Sequence, residues 1–118
     1  MSPAELIEQP FGTYAELIRA HARARPQHTA LIQDERQVSF ATLDAMMDRV
    51  AATLQREGIR PTESIAICAG TSLEYAAVFL GALRAGVAVA PLAPSSTPQT
   101  IADMAANAEA RLFFVDAA

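Results

Sequence analysis

Few side chains in this 118-residue chain could carry chemistry. The two histidines, His21 and His28, have no cysteine, aspartate or glutamate at metal-ligand spacing, so no metal site is predicted. Cys68 lies in an apolar run without a histidine nearby in sequence, which favours a buried, inert thiol over a nucleophile. The sequence has no Gly-x-Ser-x-Gly elbow, Walker loop or Gly-x-Gly-x-x-Gly motif. It therefore predicts no catalytic, cofactor-binding or metal-binding residue from local patterns.

One turn, Ala69-Gly70-Thr71-Ser72, is a candidate anion site. It joins a predicted strand to a predicted helix, and backbone amides at a helix N-terminus attract phosphate. However, the turn has a single glycine, and Glu74 in the first helical turn opposes an anion. Helix capping is therefore the favoured interpretation.

Composition indicates a packed domain without general affinity for nucleic acid. Hydrophobic residues make up 52% of the chain and charged residues 19%, which is typical of buried layers. The net charge of −4 and the sequence pI near 5.0 oppose binding to a polyanion. The single cysteine precludes an internal disulfide and fits a reducing cytoplasm, which is the expected localisation.

No secretory signal or membrane span is predicted. Residues 1–12 have neither a basic n-region nor a long apolar core, and we expect them to form a flexible or extended lead-in. The apolar stretch Ala76–Pro94 is long enough to span a bilayer. Arg84 at its centre, together with its glycines and prolines, instead predicts several shorter soluble elements.

Periodicity and capping signals predict an α/β fold. An N-terminal helix and a short β-hairpin come first, followed by an α-β-α-β-α-β order with a mostly parallel sheet. The chain is expected to be a single partial domain over residues 1–118. The predicted helices are 13–25, 40–57, 72–85 and one capped by Thr97; the predicted strands are 30–32, 38–40, 64–69, 87–90 and 111–115.

The helix over 72–85 is apolar nearly all round, which predicts burial. Thr71 and Glu74 are expected to form its capping box, and Gly86 to end it. Gly81 in its interior predicts a close approach by a neighbouring element. Arg84 is expected in the last turn, with its stem reaching solvent. If an apolar face of this helix were left exposed to solvent, it would bind other apolar surfaces. Self-association of the chain is therefore expected.

The order of motifs resembles the N-terminal stretch of the AMP-forming acyl-CoA synthetases, the acyl-adenylating superfamily. The resemblance runs from about Thr13 to Val115 and rests on several pieces in the family's order rather than on one diagnostic motif. The matching pieces are residues 24–31 (ARPQHTAL), 38–43 (VSFATL), 51–54 (AATL) with 58–61 (GIRP), 64–67 (SIAI), 74–86 (ending in LGALRAG) and 91–94 (PLAP).

The sequence departs from the family pattern at three places. Thr62-Glu63 stands where the family usually has glycine-aspartate, and Ala69-Gly70 where it has proline-asparagine. Ser95 stands where many members carry a basic or aromatic residue, which in some lies near the CoA phosphate. By resemblance, Ser95 is the single candidate for a position at the CoA rim.

The resemblance implies part of a carboxylic acid–CoA ligase, of fatty or aromatic acid metabolism. The intact enzymes use ATP, Mg and CoA to make an acyl-adenylate and then a thioester. Their phosphate loop, adenylate motifs, hinge and catalytic lysine lie beyond the position of Ala118. The 118-residue chain is therefore expected to be inactive alone and to bind none of these ligands tightly, with the rest of the ligase as its partner.

Two other interpretations stay open at this point. The chain could be a free-standing α/β interaction or oligomerisation module without catalysis. It could also be an unrelated doubly wound domain such as a receiver, which needs clustered acidic residues at strand ends, where only Asp116 is found.

Overall fold

A computed structural model describes residues 2–8 and 12–116 and confirms the predicted α/β fold class. A short N-terminal helix precedes the elements that the sequence predicts. The helices are α1 Pro3–Glu8, α2 Tyr14–Ala24, α3 Phe40–Arg56, α4 Leu73–Arg84 and α5 Pro98–Asn107; the strands are β1 Thr29–Gln33, β2 Arg36–Ser39, β3 Ser64–Cys68, β4 Ala88–Leu92 and β5 Ala110–Val115.

The core is a three-stranded parallel sheet in the order β4-β3-β5, beside the antiparallel hairpin of β1 and β2. Strand β3 is central, and Ile65, Ala66 and Ile67 are buried, as expected for a strand between two helical layers. Ile65 packs on the α3/α4 side with Leu54 and Ala82. Ala66 faces the other layer, against α5.

Short hydroxyl side chains begin three of the helices where the sequence predicts them. Each hydroxyl oxygen accepts a hydrogen bond from the backbone amide three residues later, at 3.1 to 3.2 Å. Such caps satisfy amides that the helix itself leaves without partners. The confirmed cap residues are Thr13, Ser39 and Thr97.

The cap predicted for α4 is wrong by one residue. Ser72, rather than Thr71, caps the helix, and its hydroxyl accepts from the Tyr75 amide at 3.0 Å. The reason is a contact that is distant in sequence. The side chain of Gln33 accepts a hydrogen bond from the Leu73 amide at 3.1 Å. The first amide of α4 therefore has its partner on β1 and not in the residues just before the helix.

Both outer strands of the sheet differ from their predictions. Strand β4 does not stop at Pro91, which lies opposite Ile67 inside the strand. Proline is tolerated there because β4 is an edge strand and needs no amide donor on its outer side. The prediction of a buried β5 is wrong, because this strand forms the other edge, and Phe113 and Val115 remain 41% and 67% exposed.

The N-terminal lead-in is partly helical rather than extended. Residues Pro3–Glu8 form α1, and the Ser2 hydroxyl accepts from the Glu5 amide at 3.2 Å, which caps this short helix. Residues 1 and 9–11 lie outside the described residues. The flexibility expected for this segment stays a prediction.

Three left-handed backbone positions lie in the loops that follow α3 and α4. Gly58 and Gly86 have φ of +80° and +77°, as predicted for glycine stops. Thr62 has φ of +75°, which a β-branched residue adopts at a cost of about 1–2 kcal/mol. The backbone of Thr62 is fixed there because its amide donates to the Gly86 carbonyl at 2.9 Å. At the position of Thr62, the family that the sequence resembles usually has glycine.

The apolar stretch 76–94 divides into most of α4, a turn at Gly86 and β4. None of the helices within residues 2–8 and 12–116 has both the length and the hydropathy needed to cross a membrane.

Candidate functional site at the carboxyl edge of the parallel sheet

The carboxyl ends of β3, β4 and β5 meet at one edge of the sheet. Ligands of open α/β sheets bind outside this edge, in the crevices between the loops that follow the strands. The segments that lie there are the turn 69–72 after β3, the turn 93–96 after β4 and Asp116 after β5. This edge is the candidate functional site.

The turn 69–72 is occupied by the chain's own polar groups. The Gly70 amide donates to Asp116 Oδ2 at 2.9 Å, and the Leu73 amide donates to Gln33 Oε1 at 3.1 Å. An internal carboxylate and a side-chain amide therefore satisfy donors that a phosphate would need. The geometry supports the capping interpretation of this turn over an anion site.

The β1–β2 hairpin is fastened to this edge by two side chains. Gln33 Nε2 donates to the Thr71 carbonyl at 3.5 Å, in addition to its bond with Leu73. Arg36 forms an exposed ion pair with Glu74 at the start of α4. The hydrogen bond from Arg36 is the main cause that lowers the pKa of Glu74, so this carboxylate stays ionised at neutral pH.

Ser95 lies at the same edge, in an exposed turn that the Ser96 amide closes by donating to the Ala93 carbonyl at 3.0 Å. The residue is exposed. A role at the CoA rim stays a prediction.

The cysteine and the two histidines that the sequence analysis considered do not form an accessible reactive site. Cys68 ends β3 and is buried against Ala66 and Leu92, in agreement with an inert thiol. His21 and His28 both stack on Phe40, with ring centroids 4.7 Å and 6.2 Å from it. Within the described parts of the chain, no three histidine, cysteine, aspartate or glutamate side chains come together as metal ligands.

Sequence reasoning missed a network of four charges formed by Arg19, Arg84, Asp44 and Asp48. Arg84 Nη2 lies 2.7 Å from Asp44 Oδ1, and Arg84 Nη1 lies 3.1 Å from Asp48 Oδ1. Arg19 reaches the same two carboxylates at 3.3 Å and 2.6 Å. The expectation that Arg84 reaches solvent is wrong, because its side chain is only 13% exposed. The network joins α2, α3 and α4.

The apolar face of α4 is covered rather than bare. Leu73, Ala77 and Ala82 are buried, and Gly81 lies against Val50 of α3, which confirms the predicted close approach. A bare face on this helix is therefore no reason for the chain to self-associate. On the described three-stranded sheet, the large apolar side chains that are exposed are instead Phe113 and Val115 on β5.

A family model described as "AMP-binding enzyme" matches residues 18–118. The chain is also similar to curated proteins that are named as synthases or synthetases. It shares 31% identity over 100 residues with tyrocidine synthase 2 and 35% over 95 residues with a subunit of linear gramicidin synthase, both of Brevibacillus parabrevis. It shares 31% over 106 residues with the AMB antimetabolite synthetase AmbB of Pseudomonas aeruginosa.

These alignments cover 85%, 80% and 90% of this chain but only 3%, 1% and 8% of the respective relatives. The chain therefore spans a small part of the length of each of these three relatives.

Solved structures share the fold. The N-terminal subdomain of Klebsiella oxytoca NpsA in complex with 3-hydroxyanthranilyl-AMSN has a TM-score of 0.82 at 23% identity, over 90% of this chain and 27% of that one. VinN has a TM-score of 0.82 at 26% identity, over 86% and 26%. An artificially fused adenylation–PCP di-domain, NpsA-ThdA, has a TM-score of 0.80 at 24% identity, over 86% and 19%.

Proposed function

The chain belongs to the AMP-binding enzyme family, and we propose that it forms the N-terminal part of the scaffold of an adenylate-forming domain. The observation that carries this proposal is the family match over residues 18–118. The proposal is also supported by the N-terminal subdomain of NpsA, which has the same fold and was solved in complex with 3-hydroxyanthranilyl-AMSN. The domain as a whole, rather than residues 1–118 alone, is the proposed catalytic unit.

The proposed reaction begins with attack of a carboxylate oxygen on the α-phosphorus of Mg-ATP. An acyl–phosphate bond forms, the bond to pyrophosphate breaks, and an acyl-adenylate results. The sulfur of a thiol then attacks the acyl carbon, a thioester bond forms as the acyl–oxygen bond to AMP breaks, and the thiol proton is released. In this scheme, the described residues hold the carboxyl edge of the sheet in place through Gln33 and Asp116. No described residue is assigned to the reacting atoms.

We favour a carrier-bound thiol over free CoA as the acceptor. One curated relative, 31% identical over 100 residues, is named as a dimodular nonribosomal peptide synthase of Bacillus subtilis, and one structural neighbour is an adenylation–PCP di-domain. The acid–CoA ligase implied by the sequence resemblance is the second candidate, and the position of Ser95 at the carboxyl edge is compatible with it. ATP and Mg are common to both proposals, whereas CoA is specific to the second.

The natural partner of the uncovered apolar surface is proposed to be the rest of the adenylate-forming domain. Strand β5 has an open edge, and Phe113 and Val115 are exposed beside it. Unpaired edges and apolar patches of this kind pair with another chain when they are left free. Self-association of the free 118-residue chain is therefore proposed to occur through β5 rather than through α4.

We expect the 118-residue chain to catalyse no acyl activation alone. The test is incubation with Mg-ATP, a panel of amino and carboxylic acids and either CoA or a carrier protein, with AMP release as the measurement. Circular dichroism on the same sample shows whether the chain is folded. Acid-dependent AMP release by the folded chain would overturn the scaffold proposal.

A further inference from the structure

Three rings form an aromatic stack where the end of α2 meets the start of α3. His21 of α2 stacks on Phe40 with ring centroids 4.7 Å apart and an interplanar angle of 21°. His28, in the loop after α2, stacks on Phe40 at 6.2 Å and 15°. The backbone closes around the stack, since the Phe40 amide donates to the His28 carbonyl at 2.9 Å. The two histidines thus fix the end of α2 against α3.

One ring nitrogen in the stack is suited to the neutral form of histidine. His21 Nδ1 is buried and has no hydrogen-bond partner among the described residues. In neutral histidine, this nitrogen can be the unprotonated one, which leaves a lone pair in an apolar contact. Protonation puts an N–H donor on both ring nitrogens, so a buried donor would lack an acceptor. The geometry therefore opposes a charged His21.

The cations around His21 act in the same direction. Arg25 at the end of α2 and His28 in the next loop both disfavour a positive charge on His21. On α3, the carboxylates of Asp44 and Asp48 are held by Arg19 and Arg84.

The carboxylates of the other helices that pack on α2 do not form ion pairs with His21 in the described structure. Glu74 on α4 pairs with Arg36. On α1, Glu5 accepts from the Ser2 hydroxyl, and Glu8 is exposed at the end of the helix. Among the described residues, no acidic partner therefore compensates a charge at His21.

We propose that the aromatic stack of His21, Phe40 and His28 is an acid-sensitive latch that releases the end of α2 when His21 takes up a proton. The first half of α2 stays attached, because Arg84 Nη2 donates to the Ala15 carbonyl at 3.1 Å and Arg19 holds two carboxylates of α3. Gln33 and Arg36 hold the β1–β2 hairpin on the start of α4. Release is thus confined to the end of α2 and the loop before β1.

The sign of the pH effect follows from the environment. Burial, then Arg25 and His28, lower the pKa of His21 from its usual 6.5. The unfolded chain therefore binds this proton at a higher pH than the folded chain does. The contribution to stability is constant above about pH 6.5 and is lost as the pH falls from there through the lower pKa of the folded state.

Urea unfolding of the 118-residue chain at about pH 7.5 and about pH 5.5 tests the latch. We expect the midpoint to fall at the lower pH in the wild type and to stay nearly constant in His21→Phe, which keeps a ring in the stack. His28→Phe keeps a ring in the stack but removes one of the two positive charges that oppose protonation of His21, so this variant should keep a reduced pH dependence. Glu63 and Glu74 do not interfere, because their environments lower their pKa values below 4.5.

NMR of the wild type provides a second measurement that needs no variant. The His21 ring should titrate at a lower pH in the folded chain than in urea, and the Arg25 amide, which donates to the His21 carbonyl at 2.8 Å, should shift with the same midpoint. An unchanged pH dependence in His21→Phe, or a His21 midpoint at or above that of the unfolded chain, would overturn the proposal.

Discussion

Replacing Gly81 with alanine is expected to lower the free energy of unfolding by about 2–3 kcal/mol. A Cβ at this position would lie 2.5 Å from Val50 Cβ, 2.7 Å from Val50 Cγ1 and 3.1 Å from the Met47 carbonyl oxygen. These atoms belong to the branch point of a side chain and to helix backbone, so α3 and α4 would have to separate. The higher helix propensity of alanine, about 1 kcal/mol, only partly offsets this clash.

Gly70→Ala is the matched control for Gly81→Ala. A Cβ at Gly70 would meet Asp116 Oδ2 at 3.6 Å, which is an ordinary contact, and the residue is exposed. Its effect should lie within about 0.5 kcal/mol. Chemical denaturation, followed by circular dichroism, measures the free energy of unfolding of both variants. If Gly81→Ala were as stable as the wild type, the close approach of α3 and α4 would be wrong.

Replacing Arg84 with methionine is expected to cost about 3 kcal/mol. Methionine retains most of the apolar stem but removes the bonds to both carboxylates of the network and to the Ala15 and Asp44 carbonyls. Asp44, whose side chain is 20% exposed, would keep only Arg19 as an ion-pair partner. Arg84→Lys should cost about 1–2 kcal/mol, since one ammonium cannot reach all of these acceptors.

Arg36→Met is the control for charge removal as such. Arg36 pairs with Glu74 on the surface, where both side chains are exposed, and its loss should cost no more than about 0.5–1 kcal/mol. Equal losses for Arg84→Met and Arg36→Met in the same denaturation experiment would contradict the role of Arg84 in joining three helices.

The elements set by local sequence could be predicted well. The helix starts at Thr13, Ser39 and Thr97 follow from hydroxyl residues just before apolar periodicity, and Gly58 and Gly86 end helices by adopting positive φ. These signals act within one helical turn. The sequence alone therefore contains the physical cause of these helix starts and ends.

Errors arise where a distant partner decides the outcome. The burial of β5 depends on which strand lies beside it and which helix covers it, so its apolar run does not distinguish a central strand from an edge. The cap of α4 depends on Gln33, which is 40 residues from Leu73. The burial of Arg84 escapes prediction because its acceptors, from Ala15 to Asp48, lie on two other helices.

In the candidate site, too, local features can be predicted from the sequence and contacts between distant residues cannot. The turn 69–72 and the loop with Ser95 can be located from the sequence, since both follow predicted strands. The hydrogen bonds that Asp116 accepts from the Gly70 amide and Gln33 accepts from the Leu73 amide cannot be predicted, because these contacts span 46 and 40 residues. Pairing of β3 with β5 brings Asp116 to this edge, and the contact of the β1–β2 hairpin with the start of α4 brings Gln33 there.

If this chain is the N-terminal scaffold segment of an adenylate-forming domain, as proposed, it should replace the matching segment of a relative. The most direct measurement uses a chimera in which the chain replaces the segment of linear gramicidin synthase to which it is 35% identical over 95 residues. A control chimera carries the matching segment of tyrocidine synthase 2, which establishes that the exchange of this segment is tolerated.

The quantity measured is ATP–pyrophosphate exchange that depends on the acid substrate of the recipient domain. We expect the chimera with this chain to catalyse exchange with the recipient's acid preference, as the control chimera does. An active control beside a folded chimera that shows no exchange above background would contradict the claim.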